Sequence, residues 1–438
     1  MLERTMYRDG LAPFTSLFSL RLRGELREPR LHHALAQMQA RHPLLRCVVE
    51  DAGDGPRFVL SSRPAPVPLR IVERKTDQDW ESEARREWVM PFGCNQDPLV
   101  RLVWLRGNGV HELMLVAHHC ICDGPSGITL LRDFFAACDD PRWEPDAYEP
   151  LGAIEDFVPE DLLLDRAFRF RVRRRSALLR LALLVKAWRR PAALHVSAAD
   201  AVYFHRWQLD PAAARTLVER CRKENVTVLA AVAIAVVEAF REVRGPDSLK
   251  HAYAMVNARR FMLRAHPDAL FGMAPGVEIP IRKISAATFW ESARATREDL
   301  AKRIDRLGAR FYESLLALET LHDRYPRLIA DTDAAPAIRH VTFSNLGRLD
   351  LPQQYRSFVI EQVYSPLVMV SPSPANTVVL SSFGGAMEFC MISDEASLPQ
   401  AHASAIGEKA TAILRAFAAI ATQDESAANR DNCARGTA

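Results

Sequence analysis

What the chain lacks narrows the options first. No apolar run approaches the ~20 residues needed to cross a bilayer. The longest, Val228 to Val237, is broken by Glu238. The amino terminus, MLERTMYRDGLAPF, has no apolar core of the kind that marks a signal peptide. Eight cysteines are scattered over 438 residues with no C-x-x-C pair, which argues against a disulfide framework. No short-period repeat is present, so a solenoid is excluded. These absences predict a soluble, cytoplasmic protein of a reducing compartment.

One further absence is local. Residues 166–190 contain ten Arg or Lys and no Asp or Glu. The whole chain carries 57 basic and 54 acidic residues, a net charge of +3. The remainder, 47 basic against 54 acidic, therefore sits at −7. What is present is otherwise ordinary: 48% hydrophobic and 25% charged residues, a globular composition that excludes disorder. At ~100–200 residues per domain the length suggests two domains or one large one.

Patterning predicts mixed α/β structure. Strands are expected at Phe18–Leu22, Leu44–Val49, Arg57–Leu60, Leu99–Leu105 and Glu112–Ala117. Helices are expected at Pro29–Ala40, 77–89 and Ile128–Ala137. Gly107-Asn108-Gly109 is a hairpin signal between two of these strands. A second series opens with a strand at Tyr203–Leu209 and helices at Ala212–Glu224 and Val226–Val243. A strand at Arg339–Phe343 is expected to run into a loop, Ser344–Gly347. Gly384-Gly385 reads as a tight hairpin between Val378–Phe383 and Ala386–Ile392. A helix at Gln400–Ala419 and a frayed end close the chain. The division expected is a first body at 1–165, a basic helical connection at 166–199 and a second body at 200–438.

The chemistry concentrates in Leu113–Gly127, LMLVAHHCICDGPSG, where a strand ends in His118-His119 and Asp123-Gly124 follows. Composition gives the order His-His-x-x-x-Asp-Gly roughly one chance in a thousand of arising in this chain. A turn between strand and helix is where loops present catalytic groups. A histidine of ordinary pKa, near ~6.5, is largely neutral at pH 7 and can accept a proton. Successive strand side chains face opposite ways, so one histidine faces the site and the other packs or hydrogen-bonds. Asp123 can rigidify the turn with Gly124 or pair with an arginine elsewhere. His118, His119, Cys120, Cys122 and Asp123 all carry ligand atoms. A strand splays such side chains apart, however, and no second Cys/His cluster exists, so no metal is expected. Gly124-Pro125-Ser126-Gly127 lacks the spacing of a serine nucleophile elbow.

HHCICDGPSGITLLRDF resembles the HHxxxDG core of the condensation-domain and CoA-dependent acyltransferase superfamily. LHHALAQMQARHPLLRCVVE, RTLVERCRKENVTVLAAVAIAVVEAF, MVNARRFM (255–262), LFGM (270–273) and FSNLGRL (343–349) are similar to further segments of that family. FSNLGRL is not the DFGWG motif of the plant BAHD branch. It looks more like the Ser-Asn-x-Gly loop of stand-alone bacterial tailoring O-acyltransferases. The resemblance implies two chloramphenicol-acetyltransferase-like subdomains in a V-shaped pseudo-dimer, with a tunnel between them. It implies His119 as the general base, with His118, Asp123 and Gly124 structural and Arg259 the partner of Asp123. Ser344, Asn345 and Gly347 would lie on the tunnel or substrate side.

The activity so implied moves an acyl group from a CoA or phosphopantetheinyl thioester co-substrate to a small or lipidic alcohol. No permanently bound cofactor is needed. The absence of a carrier or adenylation module within 438 residues favours ester formation by a stand-alone enzyme. The alternatives are an amide-forming enzyme acting with a carrier protein and a non-catalytic carrier-binding member of the fold. For the basic segment, Arg166, Arg169, Arg173 and Arg180 share a helical face. An acyl carrier protein, a peripheral membrane contact on the inner face and a plain solvated helix compete for it. No aromatic platform points to nucleic acid.

Overall fold

In the computed structural model, described for residues 1–7, 14–51, 55–92, 98–189, 202–262, 264–281, 288–333, 340–368 and 376–435, the first sheet forms around one strand. Helix α1 (Leu2–Tyr7) precedes β1 (Thr15–Gly24), which is buried from Thr15 to Leu20 because it lies inside the sheet. After it come α2 (Glu28–Arg41), the hairpin β2 (Cys47–Asp51) and β3 (Pro56–Leu60), β4 (Leu69–Glu73), α3 (Asp79–Val89), β5 (Val100–Arg106), β6 (Val110–His118) and α4 (Gly124–Asp139). β6 runs antiparallel to both β1 and β5, and β4 is parallel to β5.

The connection then carries α5 (Glu160–Leu164) and α6 (Arg166–Arg189). The second sheet follows: β7 (Val202–Leu209), α7 (Pro211–Lys223), α8 (Val228–Arg244), β8 (His251–Met255), β9 (Gly276–Ile279), α9 (Phe289–Ala309), α10 (Phe311–Glu319), α11 (Tyr325–Asp333) and β10 (His340–Arg348). Last come β11 (Phe358–Val363), β12 (Leu367–Val368), β13 (Asn376–Phe383), β14 (Ala386–Asp394) and α12 (Gln400–Arg435). The second sheet has the order β7-β14-β13-β10-β8-β9, with β10 parallel to both β13 and β8. Gly384 and Gly385, at φ +57° and +87°, make the turn of the β13–β14 hairpin, a conformation that glycine adopts without a Cβ penalty.

Period-two alternation sorts the core. On β1 and β6, Phe18, Leu20, Leu113 and Leu115 face α2 and α4. Their neighbours Leu17, Met114 and Val116 face the other way. That second face also holds Trp80 and Trp88 of α3 and meets Phe204, Val379, Cys390 and Ile392 of the second sheet. The two halves of the chain thus share one apolar layer. They also share strands: β11 and β12, far beyond residue 200, pair antiparallel with β1. A division at residues 165 and 200 follows the chain, whereas the sheets cross it.

Several local expectations are revised. The strand expected at Leu44 begins at Cys47, because Pro43–Arg46 forms a 3-10 turn with Pro in its first position. Ser344–Gly347 is not a loop. β10 runs through it, paired to β13, with a register shift at Asn345/Gly347 and Gly347 at φ +65°. Helix α12 continues past Ala419 to Arg435, over a stretch with no Pro or Gly to stop it. The helices of residues 289–333 are not anticipated by the patterning. Among the described residues, no helix is long and apolar enough to cross a membrane.

Gly127, in the first turns of α4, lies directly under the ring of Phe18. A Cβ there overlaps buried ring carbons. Gly127→Ala is expected to lower stability by about 1–3 kcal/mol, read as a lower denaturation midpoint with an unchanged denaturant slope. An unchanged midpoint would contradict this packing.

Candidate active site

β6 ends at His118, and the chain turns through His119–Cys122 before Asp123 caps α4. Two backbone hydrogen bonds shape that turn, from Ile121 to the His118 carbonyl (3.1 Å) and from Cys122 to the His119 carbonyl (3.3 Å). The His119 N–H donates to the Phe14 carbonyl at 2.7 Å, extending the pairing just beyond β1.

The two histidines separate as alternation requires. His118 is buried, with its ring 5.7 Å from Tyr7 and 5.8 Å from Phe92, and its Nδ1 accepts from the Cys120 N–H at 3.2 Å. Burial, helped by the neighbouring His119, pushes its pKa down to about 4. It is a neutral packing residue at pH 7. His119 is partly exposed and packs on the Phe14 ring at 5.1 Å. Its Nδ1 is buried and has no hydrogen-bond partner among the described residues. Burial lowers its pKa below the ordinary histidine value, against the opposing pull of Asp123. Cys120 and Cys122 are buried thiols whose pKa is pushed well up by burial, which makes them poor nucleophiles and ligands. Among the described residues, no group of three or more His, Cys, Asp or Glu side chains is arranged to hold a metal ion.

Asp123 does not engage His119 by hydrogen bond. Its Oδ1 accepts from the Ser126 N–H (3.0 Å) and hydroxyl (2.8 Å), and its Oδ2 accepts from Arg259 Nη1 at 2.7 Å. Arg259 sits on a 3-10 turn after β8, where the Asn257 side chain accepts from the Arg259 N–H at 3.0 Å. Its other nitrogen, Nη2, donates to the Ser126 hydroxyl (2.7 Å) and the Ala269 carbonyl (2.8 Å), and the guanidinium lies 4.0 Å above the Phe271 ring. The Phe271 carbonyl in turn accepts from the Asp123 N–H at 3.2 Å. Gly272 packs so closely on the His119 carbonyl that a Cβ there would overlap it.

A second clasp lies nearby. Asp268 pairs with Arg132 of α4 at 2.8 Å and accepts from Tyr148 Oη at 3.3 Å. Burial alone would raise its carboxyl, but Arg132 outweighs that and holds it below the usual range. Arg41 donates to the Tyr148 oxygen at 2.6 Å and pairs with Asp133, which also meets His42 at 2.8 Å.

Gly124 faces Leu346 of β10, whose Cγ lies 3.1 Å from where a Cβ would stand. The Ser344–Gly347 segment therefore lies against the motif loop. Within it Ser344 is half-buried, Asn345 is exposed, and the Asn345 Oδ1 accepts from the Gly347 N–H at 2.9 Å. Arg166, Arg169, Arg173 and Arg180 lie elsewhere, on α6. Sequence reasoning gave no role to Phe14, Ser126, Asp268 or Leu346. Only Ser126 had a local signal, as the third residue after an Asp N-cap.

The Asp123–Arg259 pair is buried, with side chains 3% and 9% exposed. Removing one partner strands a charge, at a cost of about 3–5 kcal/mol. Arg259→Met is expected to show that loss in denaturant unfolding, and Ser126→Ala a smaller one of about 1–3 kcal/mol. Wild-type stability in Arg259→Met would contradict a clasp between the halves.

Residues 12–146 match the family model described as the condensation domain. Chondramide synthase cmdD of Chondromyces crocatus is 31% identical over 146 residues, covering 30% of this chain. Tyrocidine synthase 3 of Brevibacillus parabrevis is 35% identical over 114 residues, covering 26% of this chain. The matched region is 4% of the length of the first synthase and 2% of the second. Among solved structures, the trichothecene 15-O-acetyltransferase TRI3 of Fusarium sporotrichioides superposes with TM-score 0.71 at 14% identity, covering 95% of this chain and 94% of its own. The first condensation domain of the calcium-dependent antibiotic synthetase gives TM-score 0.66 at 19% identity, with coverage of 95% and 94%. The motif region is thus similar in sequence to condensation domains, and the fold over nearly the whole chain is similar to those of a condensation domain and of an O-acetyltransferase.

Proposed function

We propose that the chain transfers an acyl group from a thioester to an alcohol, with His119 as the general base. The observation that carries this reading is an imidazole just past the end of β6, with no carboxylate hydrogen-bonded to it, on a turn that Arg259 and Gly272 hold from the other half of the chain. His119 takes the proton of the acceptor hydroxyl as its oxygen attacks the thioester carbonyl carbon. The tetrahedral intermediate collapses, the C–S bond breaks, and the departing thiolate takes the proton back from the imidazolium. Neither a metal nor a permanently bound cofactor has a role in these steps. The donor is acyl-CoA or an acyl group on a carrier protein's phosphopantetheine.

Asp123 contributes by shape. Its carboxylate is occupied by Arg259 and Ser126, which holds the loop that presents His119. Ser344, Asn345 and Gly347 would border the substrate side, a reading supported by the packing of Leu346 against Gly124. A second reading, amide formation on a carrier-bound acceptor amine, is favoured by the nonribosomal peptide synthetases among the relatives. It uses the same proton transfer.

One positioned base contributes ~10²–10⁴-fold to rate. Thiol release from a panel of acyl-CoA and acyl-carrier donors, with alcohol and amine acceptors, is expected to fall by about that factor in His119→Ala. Turnover at the wild-type rate would remove His119 from the mechanism. A base works unprotonated, and burial lowers the His119 pKa. The rate is therefore expected to stay level through neutral pH and to fall only below the ordinary histidine pKa of ~6.5. A fall beginning well above that value would contradict the assignment.

A further inference from the structure

Helix α6 has an apolar side too many. Its inner side is anchored on the body: Phe168, Ser176 and Leu183 are buried, and Leu183 packs with Leu321 and Tyr325. Arg180 donates to both carboxylate oxygens of Asp323, at 3.0 and 2.9 Å, and Arg171 and Arg175 lie 3.6 and 3.7 Å from Glu313. Periodicity puts Arg180 on the same side as Arg166, Arg169 and Arg173, yet its charge is neutralised by the body.

The outward side should then be polar. Instead Phe170, Leu178, Leu181, Leu184 and Val185 stand 65%, 58%, 57%, 48% and 40% exposed. Leu164, just before the helix, is 70% exposed. Flanking this row towards the helix start are Arg166, Arg169, Arg173 and Arg174, all exposed. Their guanidinium groups make no ion pair or hydrogen bond among the described residues. Asp165, the nearest acid, accepts from the Ala167 and Phe168 N–H groups and caps the helix. A contiguous apolar row of this kind marks a contact surface, not an ordinary solvated helix.

We propose that the outward side of α6 lies on an anionic lipid surface. The apolar row would enter the boundary between headgroups and acyl chains while the four arginines, unpaired among the described residues, meet lipid phosphates. Charge complementarity selects this occupant. A second copy of the helix would bring more arginines and no acid to neutralise them. An acidic protein would answer the arginines, but it would need a separate greasy groove for the Leu178–Val185 row. A bilayer supplies both along the whole helix, about 36 Å at 1.5 Å per residue. The proposal does not depend on the reaction assigned to His119. If both hold, the site would serve acceptors or donors dissolved in the membrane.

The test is flotation of the full-length protein with vesicles of phosphatidylcholine alone and of phosphatidylcholine with phosphatidylglycerol. Binding is expected on the anionic vesicles, weakening as salt rises. Two variants separate the contributions: Leu178→Ser/Leu181→Ser/Leu184→Ser, and Arg166→Gln/Arg169→Gln/Arg173→Gln/Arg174→Gln. Each is expected to bind anionic vesicles at least about ten-fold more weakly. Both replace exposed side chains, so thermal unfolding and thiol release with soluble substrates should stay at wild-type values. Absence of flotation with anionic vesicles would overturn the proposal, as would equal flotation of both variants and wild type. A dimer in sedimentation that the leucine variant dissolves, without vesicle binding, would assign the row to a second copy. Capture of an acidic carrier protein that the arginine variant loses, again without vesicle binding, would assign it to a protein partner.

Discussion

The Asp123–Arg259 ion pair is the constraint on which the site depends. It joins residues 136 positions apart in sequence, and the polar contacts that tie the helix after the histidine turn to the second half of the chain are built around it. The carboxylate caps α4, the guanidinium reaches the Ser126 hydroxyl and the Ala269 carbonyl, and the Phe271 ring closes over the charge. A buried pair of this kind is weak evidence for net stability, because desolvating two charges offsets much of their attraction. Its value here is registration. Arg259 can satisfy these acceptors only when it and residues 269–272 lie against the loop carrying His119.

Asp268 makes the same point from the opposite end of the segment. Its contacts with Arg132 and Tyr148 fasten residues 266–268 to α4 and to the connection after it. With Arg259 at one end and Asp268 near the other, Gly272 is placed against the His119 carbonyl. His119 itself makes few polar contacts. An imidazole held by packing and by its neighbours' backbone keeps a lone pair available, which a histidine paired to a carboxylate would exchange for higher basicity and a fixed charge.

Much of the fold was legible because alternation and turn chemistry are local signals. Phe18/Leu20/Leu22 and Leu113/Leu115 sort to one face, and Gly384-Gly385 marks its hairpin. The histidine motif was legible for the same reason, since its residues are close in sequence. The illegible features are long-range. Nothing local to Phe358–Val363 announces that it pairs with β1. Ser344–Gly347 has the composition of a turn, but its pairing with β13 overrides that preference and the mismatch is absorbed in a bulge. Arg180 matches the other arginines by periodicity, and only the placement of Asp323 removes it from them. Gly272 looks like an ordinary loop residue until the two halves are brought together.

The central claim is that Asp123, committed to Arg259, makes no hydrogen bond to His119, so that burial outweighs its pull and holds the His119 pKa below the ordinary value. The most direct measurement is a nitrogen-15 NMR titration of the His119 ring in the full-length protein. The account predicts a midpoint below the ordinary value of ~6.5. A midpoint above it, lowered by Asp123→Asn, would mean an imidazolium–carboxylate pair and would contradict the account.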